Sequence, residues 1–343
     1  MRGIKPLLRV TNFLGIDSSS RPILSNFKLP IEQKNKKRGG KTLKKLISMV
    51  VAAFLLFGLA ACGNNGGEAE PGKIVISGKE FTEQVILTHI LAEYLKANTD
   101  LEVEVKESLG GVFVLQEAMK QGDIDMYVEY TGTGYLNVLK NEYKPSQSPD
   151  EIYESTKKGY AEEFNVAWLE PLGFNNTYAL GLRGELAKEL GLKTYSDLAA
   201  HASDLSFGAD PEFFERGDGF DALAEAYGYK FAAKKNIDPD LQYTAAKDGE
   251  IDIITAFSTD ARIDQYNLTI LEDDKEFFPP YYAAPIVRQE VLDANEGLEE
   301  TINKLAGILS DEKMRELNGQ VNLDKKQPKD IAIEFLQSEG LIE

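Results

Sequence analysis

The sequence predicts an α/β protein with two similar lobes, each a sheet flanked by helices. Three observations support this prediction. From residue 73 the chain alternates between short apolar strands and amphipathic helices. The same alternation recurs across residues 176–281. Two similar segments, residues 122–133 and 249–260, lie 127 positions apart. Alternation of this kind is typical of parallel strands covered by helices.

The first predicted unit begins with a short apolar strand at residues 73–77. Thr82 is a good helix-capping residue, and Glu83 would lie in the first turn, where an acid is favoured. Apolar residues that recur every four positions define one face of this helix: Ile86, Ile90 and Tyr94. We therefore expect a strand followed by a helix that is capped at Thr82.

The following elements continue this order. Apolar residues alternate with charges across residues 101–105, which predicts a strand. Two glycines then precede a helix around residues 112–121, and Gly122 would end it. A strand at residues 124–129 completes a β-α-β-α-β unit. The second region has predicted strands at residues 178–182, 205–208, 251–256 and 268–271. Helices dominate after Val287.

The two similar segments share more than a turn. Each begins with Gly, an acid, Ile and Asp, continues as a strand, and ends with an aromatic and a hydroxyl residue. A Gly-acid-Ile-Asp sequence is also a common helix-to-strand turn, so that part alone leaves the repeat undecided. The matched pairs Tyr130-Thr131 and Phe257-Ser258 favour two lobes that each present a ring at the carboxyl end of a strand. Ligands bind at that edge in open α/β sheets.

The N-terminal region is predicted to be a lipoprotein signal. Residues 34–45 are strongly basic, residues 46–61 carry no charge, and the lone cysteine, Cys62, follows. This order describes a secretory signal, and the apolar stretch is short for a membrane span. The sequence LAAC that ends at Cys62 resembles the bacterial lipobox, which predicts a cleaved leader at residues 1–61 and a lipid on Cys62. The alternative is a buried structural cysteine. Residues 1–42 are left out of the fold prediction.

Composition and charge exclude several classes of protein. The chain has 343 residues, 43% apolar and 27% charged, with a net charge of −18. Without residues 1–61 the net charge is −28 over 282 residues, which argues against binding to nucleic acid or anionic lipid. One cysteine excludes an internal disulfide, and two histidines, His89 and His201, leave little for a zinc site or a His-based triad. No metal or cofactor is expected.

Four aromatic residues define the candidate ligand site. They lie at predicted strand ends or in loops: Tyr130, Tyr178, Phe257 and Tyr281. Taken singly, each is more often a packing residue in a chain with 15 tyrosines. As a set facing one cleft, they suit a quaternary ammonium group, which an aromatic face attracts by about 2 kcal/mol or more when the contact is desolvated.

Two basic residues accompany these rings. Lys79 lies between the first strand and the helix that follows, where a helix N-terminus already favours anions. Arg216 lies in a loop shortly after a predicted strand. Each has a simpler interpretation as a solvated surface charge. Together with the rings, they suit a zwitterion that has a trimethylammonium at one end and a carboxylate at the other.

Six segments give the sequence a resemblance to a known family. In order they are residues 78–84 (GKEFTEQ), 109–111 (LGG), 129–133 (EYTGT), 176–180 (NTYAL), 257–260 (FSTD) and 277–281 (FFPPY). The series spans essentially all of residues 73–343 and is similar to the substrate-binding proteins of bacterial compatible-solute ABC importers. That family binds glycine betaine, proline betaine, carnitine or choline, and some relatives recognise ergothioneine.

The resemblance implies a type II periplasmic-binding-protein fold with the ligand cleft between two lobes. Residues 73–175 and 282–343 would form lobe 1, and residues 176–281 would form lobe 2. Residues 62–72 would be a flexible tether to a lipid-anchored Cys62 on the extracellular face of the membrane. The resemblance also implies a monomer that delivers its ligand to a permease and its ATPase.

The resemblance further assigns the site, position by position. The family's aromatic cage falls on Tyr130, Tyr178, Phe257 and Tyr281. The family's carboxylate contacts fall on Lys79, Thr133 and Arg216. Phe257 replaces the usual tyrosine, which keeps the ring face and loses a hydroxyl. Lys79 favours a ligand with a carboxylate over choline.

Two other classes compete with this interpretation. In an enzyme, Asp123, Asp125 and Asp252 would be catalytic carboxylates, but they lie at strand starts, away from the predicted cage. No nucleophile–base pair or phosphate loop is apparent in the sequence. A surface interaction protein such as an adhesin would not need the aromatic set, and a thermal-shift screen with small betaines distinguishes the two.

Overall fold

In a computed structural model of the protein, residues 72–343 are described. The predicted leader, Cys62 and all of the predicted tether except Gly72 lie outside the described residues. Between residues 72 and 343, no helix combines the length and the apolar character that crossing a membrane requires.

The described chain alternates strands and helices in three stretches. The first contains strands β1 (Lys73–Ser77), β2 (Glu102–Lys106), β3 (Met126–Tyr130) and β4 (Val166–Trp168), helices Thr82–Asn98, Val112–Gln121, Thr131–Thr133 and Pro149–Phe164, and the π-helix Gly134–Val138. The second contains β5 (Tyr178–Arg183), β6 (Ser206–Ala209), β7 (Ala233–Asn236), β8 (Ile253–Phe257) and β9 (Leu268–Ile270), helices Gly184–Leu190, Tyr195–Leu198, Pro211–Glu215, Phe220–Tyr227, Gln242–Asp248 and Arg262–Gln265, and the 3-10 helix Ala202–Asp204. The third contains β10 (Ala283–Arg288) and helices Gln289–Ala294, Leu298–Asn303, Asp311–Asn322 and Pro328–Ser338.

The strands form two five-stranded sheets of the same design. The orders are β2-β1-β3-β10-β4 and β7-β6-β8-β5-β9. In each sheet the first three strands are parallel, as predicted. The strand that enters from the other sheet, β10 or β5, is antiparallel to both neighbours. The predicted parallel order therefore holds for the first unit and is wrong for β5, which runs antiparallel because it starts at the edge where β8 ends. Strand β10 starts in the same way at the edge where β3 ends.

The repeated aspartates hold equivalent strands together. Asp125 accepts a hydrogen bond from a backbone N–H of β1 at 2.8 Å and from Arg288 Nη1 at 3.0 Å. Asp252 accepts one from a backbone N–H of β6 at 2.9 Å and from Arg183 Nη2 at 3.4 Å. Both aspartates immediately precede β3 or β8, as expected. The repeat in the sequence is thus a structural device at the start of each central strand.

Helix Thr82–Asn98 packs its predicted apolar face into the core. Ile86, Ile90 and Tyr94 are buried there, and the C-terminal helix Pro328–Ser338 packs against this helix. The predicted cap is wrong, because Phe81 occupies the cap position and no side chain caps the helix. The Thr82 hydroxyl instead lies 2.8 Å from Asn322 Oδ1 and 3.2 Å from the Asp240 carboxylate.

Candidate ligand-binding site

One pocket lies where the facing edges of the two sheets meet. The register pairs Tyr178 with Phe257 and Ala283 with Tyr130, so strand ends and strand starts carry the rings to the same place. The pocket has an empty volume of about 650 Å³, counting the space at its mouth, which is in the range of small-molecule sites. All seven predicted ligand residues line it: Lys79, Tyr130, Thr133, Tyr178, Arg216, Phe257 and Tyr281.

The aromatic residues form a connected set around this pocket. The ring of Tyr178 lies 5.2 Å from that of Phe257 and 5.8 Å from that of Tyr281, centroid to centroid, the latter edge-on at 82°. Phe81 stacks on Phe257 at 5.2 Å and lies 6.4 Å from Tyr130. Phe81 therefore joins the ring of the first sheet to those of the second. It also lines the pocket, although the sequence analysis did not select it.

Two of the tyrosine hydroxyls donate hydrogen bonds to carboxylates of the protein. Tyr130 donates to Glu83 Oε1 at 2.7 Å and accepts from Gln84 Nε2 at 3.0 Å. Tyr281 donates to Asp218 Oδ2 at 2.5 Å. Burial, followed by the neighbouring carboxylates, raises the pKa of both tyrosines well above the ordinary value. Both rings are consequently neutral, and the hydrogen bonds of their hydroxyls hold them in place at the pocket.

Lys79 is buried and paired. Its Nζ donates to Glu129 Oε1 at 2.6 Å, and it lies 5.1 Å from the ring centroid of Tyr130. An ammonium group has three N–H donors, so donors remain for a ligand. The positive charge, however, is already balanced by a buried carboxylate.

Arg216 is also buried and paired. Its Nε and Nη2 donate to the two oxygens of Asp218 at 2.8 and 2.7 Å. Nη1 donates to Glu212 Oε1 at 3.0 Å, and Nη2 donates to Thr133 Oγ1 at 3.2 Å. The guanidinium carbon lies 5.1 Å from the ring centroid of Tyr178. Arg216 therefore braces its own loop through Asp218, and the two-point fork of its guanidinium faces that carboxylate.

The electrostatics of this pair follow from burial and contact. Burial alone would lower the pKa of Arg216, but Asp218 outweighs it and raises that pKa well above the ordinary value. Burial alone would raise the pKa of Asp218, but Arg216 and the hydroxyl and amide donors around it lower that pKa. Both groups are thus charged at neutral pH, and together they contribute no net charge to the pocket.

A buried carboxylate behind the rings ties the two sheets together. Glu83 Oε1 accepts from Tyr130 and from Asn176 Nδ2 at 2.8 Å. Glu83 Oε2 accepts from Thr259 Oγ1 at 2.5 Å and from Asn318 Nδ2 at 3.0 Å. Burial raises the pKa of Glu83, although all four hydrogen bonds act in the opposite direction.

Further hydrogen bonds cross the cleft beside the pocket. Glu212 Oε2 accepts from the backbone N–H of Val112 at 3.0 Å. Asn137 donates to Asp218 Oδ1 at 2.9 Å and accepts from the backbone N–H of Gly217 at 2.9 Å. The two sheets are therefore closed over the pocket.

Several pocket or cleft residues escaped the sequence analysis. They are Phe81, Glu83, Asn176, Asp210 and Glu212. Three of them, Phe81, Glu83 and Asn176, lie within the six motif segments, so membership of those motifs was the available signal. Within residues 72–343, no group of three or more metal-ligating side chains is placed to hold a metal ion. The arrangement is suited to binding a cationic group against neutral ring faces.

A two-lobed α/β fold with a ring-lined pocket between its sheets defines a solute-binding protein. Residues 72–338 match the family described as the substrate-binding domain of ABC-type glycine betaine transport systems, and the chain belongs to that family. The predicted type II fold and substrate-binding role are thereby confirmed.

Curated relatives and solved structures agree with this assignment. The chain is 37% identical to the carnitine transport binding protein OpuCC of Listeria monocytogenes, over 87% of this chain and 97% of that protein. It is 37% identical to the ergothioneine transport permease/ergothioneine binding protein EgtU of Helicobacter pylori, over 87% of this chain, and spans about half (54%) of that protein's length. A crystal structure described as a glycine betaine/carnitine/choline ABC transporter aligns with a TM-score of 0.64 and 32% identity, over 79% of this chain and 100% of that chain.

Proposed function

We propose that this protein captures a quaternary-ammonium compatible solute, glycine betaine or a similar betaine, and delivers it to an ABC permease for osmoprotection. The observation that carries the proposal is the set of neutral rings around one pocket: Tyr130, Tyr178, Phe257 and Tyr281. A trimethylammonium group is attracted to such faces by their quadrupole. Choline, carnitine and ergothioneine carry the same group and are the alternative ligands. Two relatives of this chain are named for binding or transporting carnitine and ergothioneine.

The polar end of the ligand is assigned to Lys79, Thr133 and Arg216. Both cations are paired with carboxylates, so a ligand carboxylate would be held by their remaining N–H donors rather than by unbalanced charge. Hydrogen bonds to charged groups contribute about 1.5–3 kcal/mol each. A carboxylate-bearing ligand therefore has polar partners opposite the rings.

Attachment to the membrane is assigned to a lipid on Cys62. The basic region, the apolar stretch and the sequence LAAC support this part of the proposal. The protein would then act as a monomer on the extracellular face, tethered by residues 62–72. The net charge of −28 for residues 62–343 makes electrostatic attachment unfavourable, so the lipid would supply the anchoring energy.

Calorimetry tests the ligand class. Both sheets and the whole pocket lie within residues 72–343, so a fragment of residues 68–343 is suitable. We expect binding of at least one of glycine betaine, proline betaine, carnitine, choline and ergothioneine. The matched control is 3,3-dimethylbutyrate, which replaces the nitrogen of glycine betaine with carbon. Loss of about 2 kcal/mol of cation–π attraction should weaken it roughly 30-fold. No binding across the panel would contradict the proposal.

A further inference from the structure

Two hydrogen-bond acceptors in the pocket wall have no partner within residues 72–343. They are Oδ2 of Asp210 and Oδ1 of Asn176. The parent residues are only 8% and 5% exposed, and both line the pocket. Buried polar atoms are paired in most folded proteins, so each exception calls for an explanation. Both of these atoms are acceptors, and both belong to side chains that line the space where a ligand would lie.

The position of Asp210 is fixed by the fold. It follows β6 directly and occupies the cap position of helix Pro211–Glu215, where its Oδ1 accepts from the backbone N–H of Phe213 at 3.1 Å. One oxygen of the carboxylate is therefore committed to the helix. The other, Oδ2, has no partner among residues 72–343, and the side chain that carries it lines the pocket.

The orientation of Asn176 is fixed as well. Its Nδ2 donates to Glu83 Oε1 at 2.8 Å. Glu83 also receives the hydroxyls of Tyr130 and Thr259, so it requires donors and the amide nitrogen must face it. The amide oxygen of Asn176 consequently remains an acceptor without a partner among the described residues.

A bare trimethylammonium cannot satisfy these acceptors, because it has no N–H. A ligand carboxylate would repel Asp210 rather than bind it. We propose that the true ligand carries, besides its quaternary ammonium, an O–H or N–H donor that binds Asp210 Oδ2, so that glycine betaine is a weaker ligand than a betaine with a donor. This inference rests on the proposed function. Charge-assisted hydrogen bonds of this kind correspond to roughly 10- to 150-fold in affinity.

Matched ligand pairs test the donor directly. Carnitine and 3-deoxycarnitine differ only in a hydroxyl group, and in the ring-N-methylated analogues of ergothioneine a methyl group replaces the N–H donor. Calorimetry on the residue 68–343 fragment should show one pair separated by roughly 10- to 150-fold in favour of the donor. Separation of the carnitine pair identifies a hydroxyl as the donor, and separation of the ergothioneine pair identifies a ring N–H. Equal affinities within both pairs would overturn the inference.

An isosteric variant assigns the effect to Asp210. In Asp210→Asn, Oδ1 still caps the helix, since asparagine is an equally good cap, while an NH₂ group replaces the free acceptor. The donor-bearing member of the separated pair should weaken to the level of its partner, a loss of roughly 10- to 150-fold, while glycine betaine, which has no donor for Asp210, should lose much less. Asp274→Asn is the control, because Asp274 also accepts a backbone N–H but is exposed and outside this pocket.

The outcomes separate this inference from the proposed function. An equal loss for donor-bearing ligands and glycine betaine in Asp210→Asn would overturn the inference and leave the quaternary-ammonium site in place. Binding of glycine betaine, with equal affinities within both matched ligand pairs, would also overturn the inference and leave the quaternary-ammonium site in place. If no quaternary ammonium compound binds the unmodified protein, the proposed function fails and the inference fails with it.

Discussion

Arg216 and Asp218 form a two-point ion pair in the wall of the pocket, with Nε to Oδ1 at 2.8 Å and Nη2 to Oδ2 at 2.7 Å. Each side chain is 2% exposed. Removing one member of such a pair leaves a buried charge without its partner, which costs about 3–5 kcal/mol of stability. A single substitution of Arg216 would therefore confuse a binding effect with a folding effect, and the role of Arg216 is better tested by changing both residues.

The double variant Arg216→Gln/Asp218→Asn should separate betaines from choline. It removes both charges and keeps hydrogen-bonding groups in place. If Arg216 contacts the ligand carboxylate, glycine betaine should weaken roughly 10- to 150-fold, the value of one charge-assisted hydrogen bond. Choline has no carboxylate and should change much less. Calorimetry with both ligands measures the difference.

The control for this experiment is Arg288→Gln/Asp125→Asn. That pair is similarly buried but lies outside the pocket, so neither ligand should lose affinity beyond any general loss of stability. Equal weakening of glycine betaine and choline in Arg216→Gln/Asp218→Asn would remove Arg216 from the ligand contacts and leave Lys79 as the assigned cation.

Tyr130 should contribute its ring to binding and its hydroxyl to stability. Tyr130→Ala removes a cation–π contact and should weaken a quaternary ammonium ligand by roughly 30-fold or more. Tyr130→Phe keeps the ring and removes one donor to Glu83. It should lower the free energy of unfolding by about 1–3 kcal/mol, with a much smaller loss of affinity. Chemical denaturation and calorimetry measure the two effects.

Tyr266→Ala is the matched control for this pair. Like Tyr130, Tyr266 has a lysine over its ring, with Lys247 Nζ 4.8 Å from the centroid, but it lies outside the pocket. The Tyr266→Ala variant should therefore bind the ligand with unchanged affinity. If Tyr130→Phe weakened binding as much as Tyr130→Ala, the ring would not be the contact that matters.

The sequence predicted that the aromatic residues lie together at one cleft, because strand ends can be located from local patterns. Tyr130, Phe257 and Tyr178 lie at strand ends or starts, and the register of the sheets brings them together. The partners of the cations were less accessible. Glu129 reaches Lys79 across 50 positions of sequence, and no local pattern encodes that contact.

Three strands were not predicted, each for a physical reason. Strand β7 (AKKN) is an exposed edge strand without apolar alternation. Strand β4 has three residues, too few for a pattern. Strand β10 contains Pro285, which ordinarily argues against an interior strand. Its interior position is set by neighbours on both sides, which only the tertiary structure supplies.

Gly111→Ala should oppose closure of the cleft. Its φ of −77° suits alanine, but an added Cβ would come within 1.9 Å of Glu212 Oε2 in the closed arrangement. Ligand affinity should fall by about tenfold or more, because ligand that contacts both lobes favours the closed population. Small-angle scattering should show less compaction with ligand than in the unmodified protein.

The double variant Gly111→Ala/Glu212→Ala tests this explanation. Removing the Glu212 carboxylate relieves the clash, so affinity should recover at least to that of Glu212→Ala alone. If Gly111→Ala bound ligand normally and compacted fully, the contact between Glu212 and the N-terminus of helix Val112–Gln121 would not be required for closure.

Cys62→Ala should release the protein from the cell surface or leave the precursor uncleaved. The motive is the sequence LAAC that ends at this residue. The fragment of residues 68–343 lacks Cys62, so its ligand binding does not depend on the lipid. Fractionation with mass spectrometry of the N-terminus checks this prediction, which a processed and membrane-held Ala variant would contradict.

The protonation of Asp210 should make donor recognition depend on pH. Burial, followed by the nearby Glu212, raises the pKa of Asp210 to about 6, while Phe213 N–H and Arg216 act to lower it. This folded-state pKa lies above the unfolded value of 3.8. The contribution of Asp210 to the free energy of unfolding is therefore fully present below pH 3.8 and is lost as the pH rises through about 6. A ligand donor binds the charged carboxylate, so it should recover this loss and bind more tightly as pH rises.

We therefore expect the affinity for the donor-bearing ligand to increase between about pH 5 and 7.5, while that of its donor-free partner stays nearly constant. The carboxylates of carnitine and deoxycarnitine are ionised throughout this range, so the ligands do not titrate. Glu83, whose pKa burial also raises, would affect both ligands alike through the closed state. Asp210→Asn should abolish the difference between the two pH profiles. Parallel profiles in the unmodified protein, or a difference that survives in Asp210→Asn, would assign the pH dependence to another group.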